Sequence, residues 1–262
     1  MKIRATAVCA CPVPNFDPDM PSFFEALDET GRAVGTLTIF SPAPDAGEIT
    51  AFVQPGRRRQ GVFRALLSAG AEALGRSGYG RVLLVCSGDG AEGQDVAAHW
   101  GLALDHAEYF MVWKGPLPDA APLELGPAAE ADVPALVELS MDAFRDDRDQ
   151  ALQFVQNGLP LCRVARRDGQ IVAAANVQEG EVLSIYGVAV PTALRGQGLG
   201  KALMAALLRS LSAGHPDRQI TLEVDSLNAR ALALYQSCGF VTARREDYYA
   251  ASLAEIRGRC AR

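Results

Sequence analysis

The sequence predicts a mixed α/β protein built from two successive copies of one unit. Apolar strand-like runs alternate along the chain with Ala/Leu-rich helix-like runs, as in helices packed on a sheet. One segment recurs, because setting Arg58 against Arg195 aligns residues 60–66 with residues 197–203 without a gap. A Pro-rich stretch at 114–122 separates the copies. Together these observations indicate two tandem domains.

Composition limits the function classes. The chain has 262 residues, enough for two ordinary cores, and 21% charged residues indicate a globular protein. A net charge of −6 argues against a nucleic-acid partner. We expect no membrane segment, because no apolar run reaches about 18 residues, and no signal-peptide core is evident. The six cysteines lack metal-ligand spacing, so we predict no metal site and a reducing cytoplasm.

The first copy follows an order of strands, a Gly-rich turn and a helix. Period-two alternation bounded by Gly and Pro predicts the strands, and the Ala/Leu spacing predicts the helices. In order, we predict a strand at 2–8, a Pro-rich loop to 21, strands at 23–28, 33–40 and 48–53, a segment at 54–67 that leads into a helix continuing to about 76, a strand at 82–86, a helix at 94–100 and a strand at 108–113.

The second copy repeats this order with two additional helices near its start. Asp132 is a plausible cap for the first of them, with Pro134 in the first turn. In order, we predict a strand at 123–125, helices ending near 144 and spanning 150–156, strands at 161–167, 170–178 and 181–190, a helix at 199–211, a strand at 220–224, a helix at 228–237 and final strands from 240.

The most informative stretch, here called the Gly loop, runs from Arg195 to Lys201 as Arg-Gly-Gln-Gly-Leu-Gly-Lys. A strand, a tight Gly-rich turn and a helix start present free backbone N–H groups and a partial positive charge. Glycine lets the backbone approach a phosphate closely. The spacing is neither the dinucleotide fingerprint nor a P-loop. The loop therefore predicts an anion site, the alternative being a Gly-rich helix entry without a ligand.

The Gly loop resembles the Arg/Gln-x-x-Gly-x-Gly/Ala signature of GCN5-related N-acetyltransferases. The segment from Asn228 through Tyr235 to Phe240 resembles a second signature of that family. The resemblance covers about 123–250 and is weaker in the first copy. It implies a mixed, mostly antiparallel central sheet flanked by helices in each copy. We therefore expect a degenerate domain at 1–114, a linker at 115–122 and an acetyltransferase domain at 123–262.

The resemblance also implies acetyl-CoA as the acyl donor. The Gly loop would hold the pyrophosphate, and the backbone of the preceding strand would pair with the pantetheine arm as an added strand does. The residues carried over for cofactor binding are Val188, Ala189, Val190, Arg195, Gly196, Gln197, Gly198, Leu199, Gly200, Lys201 and Asn228.

Three residues are candidates for catalysis. The resemblance implies that Tyr235 protonates the departing thiolate, which needs a weak acid near the sulfur. The alternative for Tyr235 is a core aromatic with a satisfied hydroxyl. An attacking amine must lose a proton, and Glu181 or Glu223 is the candidate base. Either carboxylate can instead be a solvated surface group. Ser184 and Tyr186 are placed to orient a substrate or a water.

The first copy departs from the signatures. Phe63 stands where Gly200 stands, Ala97 where Tyr235 stands and Gly90 where Asn228 stands. The segment at 9–22 is also too short for the two helices that help form the acceptor site in the family. We therefore predict that the first copy is catalytically weak or silent, and whether it binds acetyl-CoA stays open.

The sequence thus predicts an N-acetyltransferase acting on a primary amine, with its active site in the second copy. The alternative is a non-catalytic acyl-CoA-binding or regulatory module, which would not need Tyr235. In architecture alone, the chain resembles mycothiol-synthase-type acetyltransferases, which modify an amine on a small thiol-containing sugar conjugate. Aminoglycoside-like amines and protein amines are open as acceptors. Two tandem domains mimic a homodimer, so we expect a monomer or a homodimer.

Overall fold

The computed structural model describes residues 1–6, 19–41 and 46–261. They form two compact units whose boundaries differ from those of the two sequence copies. Unit 1 contains residues 1–107 and 245–262, and unit 2 contains residues 108–244. Each unit therefore includes a segment from the other copy. Residues 7–18, with the end of the predicted first strand and most of the Pro-rich loop, lie outside the described residues.

Twelve strands and seven α-helices form within the described residues. The strands are β1 (Lys2–Thr6), β2 (Phe23–Leu27), β3 (Ala33–Phe40), β4 (Ala46–Val53), β5 (Arg81–Ser87), β6 (Ala103–Trp113), β7 (Leu125–Pro127), β8 (Cys162–Arg167), β9 (Gln170–Glu179), β10 (Leu183–Ala189), β11 (Ile220–Asp225) and β12 (Phe240–Ser252). The helices are α1 (Val62–Arg76), α2 (Ala91–His99), α3 (Val133–Phe144), α4 (Arg148–Gly158), α5 (Leu199–Gly214), α6 (Ala229–Ser237) and α7 (Leu253–Cys260). None of these helices is long and apolar enough to cross a membrane.

Unit 1 is a mixed sheet with one parallel pair. Its strands lie in the order β1-β2-β3-β4-β5-β12, and only β4 and β5 run parallel. Helix α1 buries Leu66, Leu67, Ala71 and Leu74 because these residues recur at helical spacing. The β12 segment at 246–252 pairs with β5, so a strand from the second copy closes this sheet.

Unit 2 has the same plan. Its strands lie in the order β6-β11-β10-β9-β8-β7, and only β10 and β11 run parallel. The β6 segment from Glu108 to Val112, which comes from the first copy, pairs with β11. One side of the sheet packs on α5, around Leu203 and Leu207. The other side packs on α3 and α4, around Leu136 and Val155, and is here called the acceptor side.

The mostly antiparallel sheet architecture predicted for each copy is confirmed. One local prediction is wrong. Asp132 does not cap α3 with its side chain, because its carboxylate accepts a hydrogen bond from the N–H of Ala129 at 2.8 Å and pairs with Arg166. The final strands predicted from 240 are a single strand, β12, which begins at Phe240 as predicted and is followed by α7. A capping box between Ser252 and Glu255 starts α7 and is a sequence signal that marks its beginning.

Candidate active site

The site begins where two parallel strands part. β10 and β11 are paired from Leu183 and Ile220 to Ile185 and Leu222, where the described register ends. Both strands continue, β10 to Ala189 and β11 to Asp225. Strands that part in this way expose backbone N–H and C=O groups that an extended ligand can pair with.

A β-bulge lies at the same point. Tyr186 faces Asn176 on β9, but Ala189 faces Ala174, so β10 has one extra residue there. Gly187 within the bulge has a φ of +60°, which favours glycine. Side chains along β10 alternate between the two sides of the sheet, and the extra residue reverses this alternation. After the bulge Ala189 packs on the acceptor side and Val188 on the α5 side. Gly187 was not singled out from the sequence, although an isolated glycine in a strand is the signal of a bulge.

The Gly loop follows directly and has an open outer surface. Gly196 and Gly198 have φ values of +80° and +78°, so both positions favour glycine. A Cβ at either residue would meet no atom within 4 Å. Gly198 is the N-cap of α5, and no side chain caps this helix. The first N–H groups of α5 therefore point to a place suited to an anion.

Two hydrogen bonds hold the loop. The Nε of Arg195 donates to the carbonyl oxygen of Val190 at 3.0 Å. The backbone N–H of Thr192 donates to the carboxylate of Asp142 on α3 at 2.6 Å. Bonds from Thr192 and the nearby charge of Arg195 lower the pKa of Asp142, so this carboxylate is ionised at neutral pH. Sequence reasoning missed Asp142, because 50 residues separate it from its partner.

The other loop residues have different surroundings. Gln197 is exposed, Leu199 is buried in the unit 2 core and Lys201 is partly exposed. A Cβ on Gly200 would lie 3.1 Å from Leu234 on α6. Gly200 therefore permits the close approach of α5 and α6. Packing accounts for a glycine at this position, whereas the sequence analysis expected a phosphate contact.

Helix α6 carries the second signature. The side chain of Asn228 caps it by accepting a hydrogen bond from the N–H of Ala231 at 3.1 Å. Tyr235 lies within the unit 2 core, 7% exposed, with its ring edge-on to Phe240. Burial, aided by the Cys238 thiol, raises the pKa of Tyr235 to about 12. The phenol is therefore protonated at neutral pH and can donate a hydrogen bond.

The two candidate bases lie in different places. Leu222 and Val224 face the α5 side, so Glu223 between them faces the acceptor side, one residue beyond the last described pair. Glu181 is exposed in the turn before β10. Glu181 is five positions before Tyr186, which is about 16 Å along an extended chain. Glu223 and Tyr186 thus lie where the strands part, and Glu181 lies at the other end of β10.

The sequence model of the acetyltransferase (GNAT) family matches residues 6–101 and 130–240. The chain belongs to this family. The mycothiol acetyltransferase of Clavibacter michiganensis subsp. michiganensis is 31% identical over 256 residues, covering 88% of this chain and 80% of the relative. That of Thermomonospora curvata is 30% identical over 234 residues, covering 76% of this chain and 72% of the relative. The protein is accordingly a tandem GNAT and an N-acetyltransferase.

Solved GNAT structures share the fold at low identity. A GCN5-related N-acetyltransferase from Sphaerobacter thermophilus has a TM-score of 0.75 at 18% identity, covering 91% of this chain and 82% of its own. A tandem GNAT protein from the clavulanic acid biosynthesis pathway has a TM-score of 0.67 at 19% identity, covering 88% of this chain and 82% of its own.

The two GNAT copies share the loop conformation. In the first copy, Gly61 caps α1 with a φ of +81°, and the Nε of Arg58 donates to the carbonyl oxygen of Val53 at 3.2 Å. Arg59 stands at the Gly196 position and has a φ of +58°. Phe63 packs edge-on against Trp100, 5.9 Å between ring centroids.

The first copy differs in its strands and its charges. The register of β3 and β4 continues without a shift from Gly35 and Val53 to Phe40 and Glu48, so the bulge is missing there. The carboxylate of Glu92 lies 3.0 Å from the guanidinium of Arg58. Ala97, buried, stands where Tyr235 stands. The acceptor-site segment at 9–22 lies mostly outside the described residues.

Proposed function

We propose that this protein transfers an acetyl group from acetyl-CoA to a primary amine of a small molecule, and that the second copy holds the active site. The observation that carries this proposal is the bulge at Gly187, beside the point where β10 and β11 part and directly before the Gly loop. The first copy keeps the loop conformation and lacks the bulge.

The residues present fit acetyl-CoA. The open surface at Gly196 and Gly198 and the uncapped start of α5 suit the pyrophosphate, with Arg195 and Lys201 as positive charges beside it. The backbone of 188–190 and the cap residue Asn228 would hold the pantetheine arm. Acetyl-CoA supplies an activated acetyl thioester.

The chemistry follows from the groups around the bulge. Backbone N–H groups at Gly187 and Val188 would polarise the carbonyl oxygen. The amine nitrogen bonds to the carbonyl carbon, the carbon–sulfur bond breaks, and no electrons are gained or lost overall. Glu223 would accept the proton that the amine loses, directly or through one water. Tyr235 would give its phenolic proton to the departing sulfur, and the proton taken up by Glu223 would return to the phenolate through solvent.

The acceptor is proposed to be a small molecule. The relatives that span most of the chain are named mycothiol acetyltransferases, which supports this class. The first acceptor to test is therefore an amine on a small thiol-containing sugar conjugate, followed by aminoglycoside-like amines and a lysine peptide.

The test is release of coenzyme A thiol from acetyl-CoA with each acceptor, followed by mass analysis of the product. We expect one acceptor to gain a single acetyl group on nitrogen, and Tyr235→Phe to slow the reaction. The second candidate, a non-catalytic acyl-CoA-binding module, predicts tight acetyl-CoA binding with no turnover on any amine. Tyr235 argues against it, because binding alone does not need a weak acid beside the sulfur.

A further inference from the structure

The carboxyl end of helix α6 is held by residues 113–115, here called the clasp. The indole Nε1 of Trp113 donates a hydrogen bond to the carbonyl oxygen of Cys238 at 3.1 Å. The backbone N–H groups of the next two residues both donate to the carbonyl oxygen of Gly239 at 3.0 Å. Three donors from one short segment therefore fix the two carbonyl groups that directly follow α6.

Two glycines let the clasp touch the turn after α6. Gly239 has a φ of +88°, the left-handed conformation that commonly ends a helix. A Cβ added to Gly239 would lie 2.7 Å from the Cα of Gly115, and a Cβ added to Gly115 would lie 2.6 Å from the Cα of Gly239. The two backbones are thus in direct contact, and a side chain at either position would push them apart.

The clasp is two hydrogen bonds away from Tyr235. The N–H of Cys238 donates to the carbonyl oxygen of Tyr235 at 3.0 Å, and the carbonyl oxygen of the same Cys238 accepts from Trp113. The side chains of Tyr235 and Trp113 also pack in the same core of unit 2. The last turn of α6, which carries the phenol, therefore depends on the position of the indole.

Helix α6 is fixed mainly at its two ends. Of its nine residues, all of them described, Tyr235 alone is buried, so packing along the helix holds it at few points. Asn228 caps its start, and the clasp holds its end. The clasp follows β6, which pairs with β11 over Glu108–Val112. A strand of the first copy therefore brings the clasp to the helix of the second copy that carries Tyr235.

We propose that the clasp positions the phenol of Tyr235 against the sulfur of coenzyme A. The proposal rests on the proposed function, in which Tyr235 gives its proton to that sulfur. It adds that Trp113 and Gly115 are positioning residues that act through Tyr235. A displacement of about 1 Å costs a reacting group on the order of 100-fold in rate. The first copy thus contributes to the chemistry of the second through the segment that ends its last strand.

The test is calorimetric affinity for coenzyme A and for desulfo-coenzyme A, which lacks the sulfur, at pH 9. It needs no knowledge of the acceptor. A thiol with an ordinary pKa of about 8.5 is largely ionised at this pH, whereas Tyr235, with a pKa of about 12, keeps its proton. The phenol then donates to a thiolate. Tyr235→Phe should therefore lower the preference for coenzyme A over the desulfo compound about tenfold.

Two variants displace the phenol without removing it. Trp113→Phe keeps an aromatic ring and removes the N–H donor, and it should lower the preference about fivefold. Gly115→Ala pushes away the backbone of Gly239 and should act in the same direction, so it takes the place of Trp113→Phe if that variant fails to fold. In a Tyr235→Phe background, Trp113→Phe should have no further effect, because its influence passes through the phenol.

Matched controls use the same substitutions elsewhere. Trp100→Phe changes the other tryptophan of the chain, which lies in unit 1. Gly214→Ala adds a Cβ that meets no atom within 4 Å. Both should leave the preference unchanged. A general loss of stability weakens binding of the two compounds equally, so the ratio of their affinities separates positioning from a merely structural role.

The outcomes separate the two proposals. If Tyr235→Phe lowers the preference but folded Trp113→Phe, or Gly115→Ala in its place, does not, the clasp proposal is overturned and the proposed function stands. A further decrease caused by Trp113→Phe in the Tyr235→Phe background also overturns the clasp proposal alone. An unchanged preference in Tyr235→Phe overturns the clasp proposal together with the role assigned to Tyr235. Failure of the natural protein to bind coenzyme A overturns both proposals.

Discussion

The carboxylate of Asp142 accepts a 2.6 Å hydrogen bond from the backbone N–H of Thr192, which ties the end of α3 to the turn before the Gly loop. Helix α3 also lines a small apolar cavity beside Gly187. The position of the loop therefore depends on a helix that packs beside the bulge.

Replacing Asp142 with alanine should weaken acetyl-CoA binding about fivefold, because the loop loses one charge-assisted hydrogen bond. The pKa of Asp142 is lowered from its ordinary value of 3.8, so the carboxylate is fully ionised at any pH well above 3.8. The stabilisation from its hydrogen bond to Thr192 is lost only when the pH falls through the lowered pKa. The ratio of dissociation constants between the variant and the natural protein should thus be constant from pH 6 to 8. Asp149→Ala, an exposed carboxylate on α4, is the control and should change nothing.

Tyr235→Phe should lower kcat about 100-fold and leave the acetyl-CoA dissociation constant nearly unchanged. The neutral phenol is the donor, and with a pKa of about 12 it persists throughout the assay range. The rate ratio between natural and variant protein should therefore stay constant from pH 7 to 10. An unchanged kcat would mean that the sulfur leaves without help from this residue.

The two candidate bases can be separated by a matched pair. Glu223→Gln should reduce kcat about 100-fold without affecting acetyl-CoA affinity, because only the proton acceptor is lost. Glu181→Gln changes the same chemistry at the far end of β10 and should have no effect. The reverse result would transfer the role of base to Glu181.

Gly187→Ala should destabilise the protein by about 2 kcal/mol, since alanine disfavours positive φ and its Cβ would collide with Phe154. Thermal unfolding would show a midpoint lower by about 6 °C. Gly180→Ala is the matched control, because an added Cβ there meets only the carbonyl oxygen of Val182 at 3.7 Å. If Gly187→Ala and Gly180→Ala were equally stable, the bulge would tolerate a side chain at position 187 without strain.

Much of the local structure could be predicted from the sequence. The helix at Val62–Arg76 and the strands at Phe23–Leu27 and Ala33–Phe40 follow from the spacing of apolar residues and the turns between them. The Gly loop was predicted because its glycines, its helix and its preceding strand are contiguous. Its αL conformation at Gly196 and Gly198 is the physical reason for that spacing.

The long-range features could not be predicted. The pairing of Glu108–Val112 with β11 and of 246–252 with β5 depends on which edges meet in three dimensions, and local patterns carry no such information. The hydrogen bond between Asp142 and Thr192 also joins residues that are far apart in the sequence, so local patterns do not predict it. The close approach of Phe154 to Gly187 depends on the bulge, and no residue near Phe154 in the sequence indicates it.

The most direct test of the central claim is calorimetric titration of acetyl-CoA into the natural protein and into two matched variants. Gly198→Glu and Gly61→Glu place the same bulk and negative charge at equivalent N-cap positions of α5 and α1. We predict one site per chain in the natural protein, lost in Gly198→Glu and retained in Gly61→Glu. Retention of binding in a folded Gly198→Glu variant, with loss in Gly61→Glu, would contradict the account.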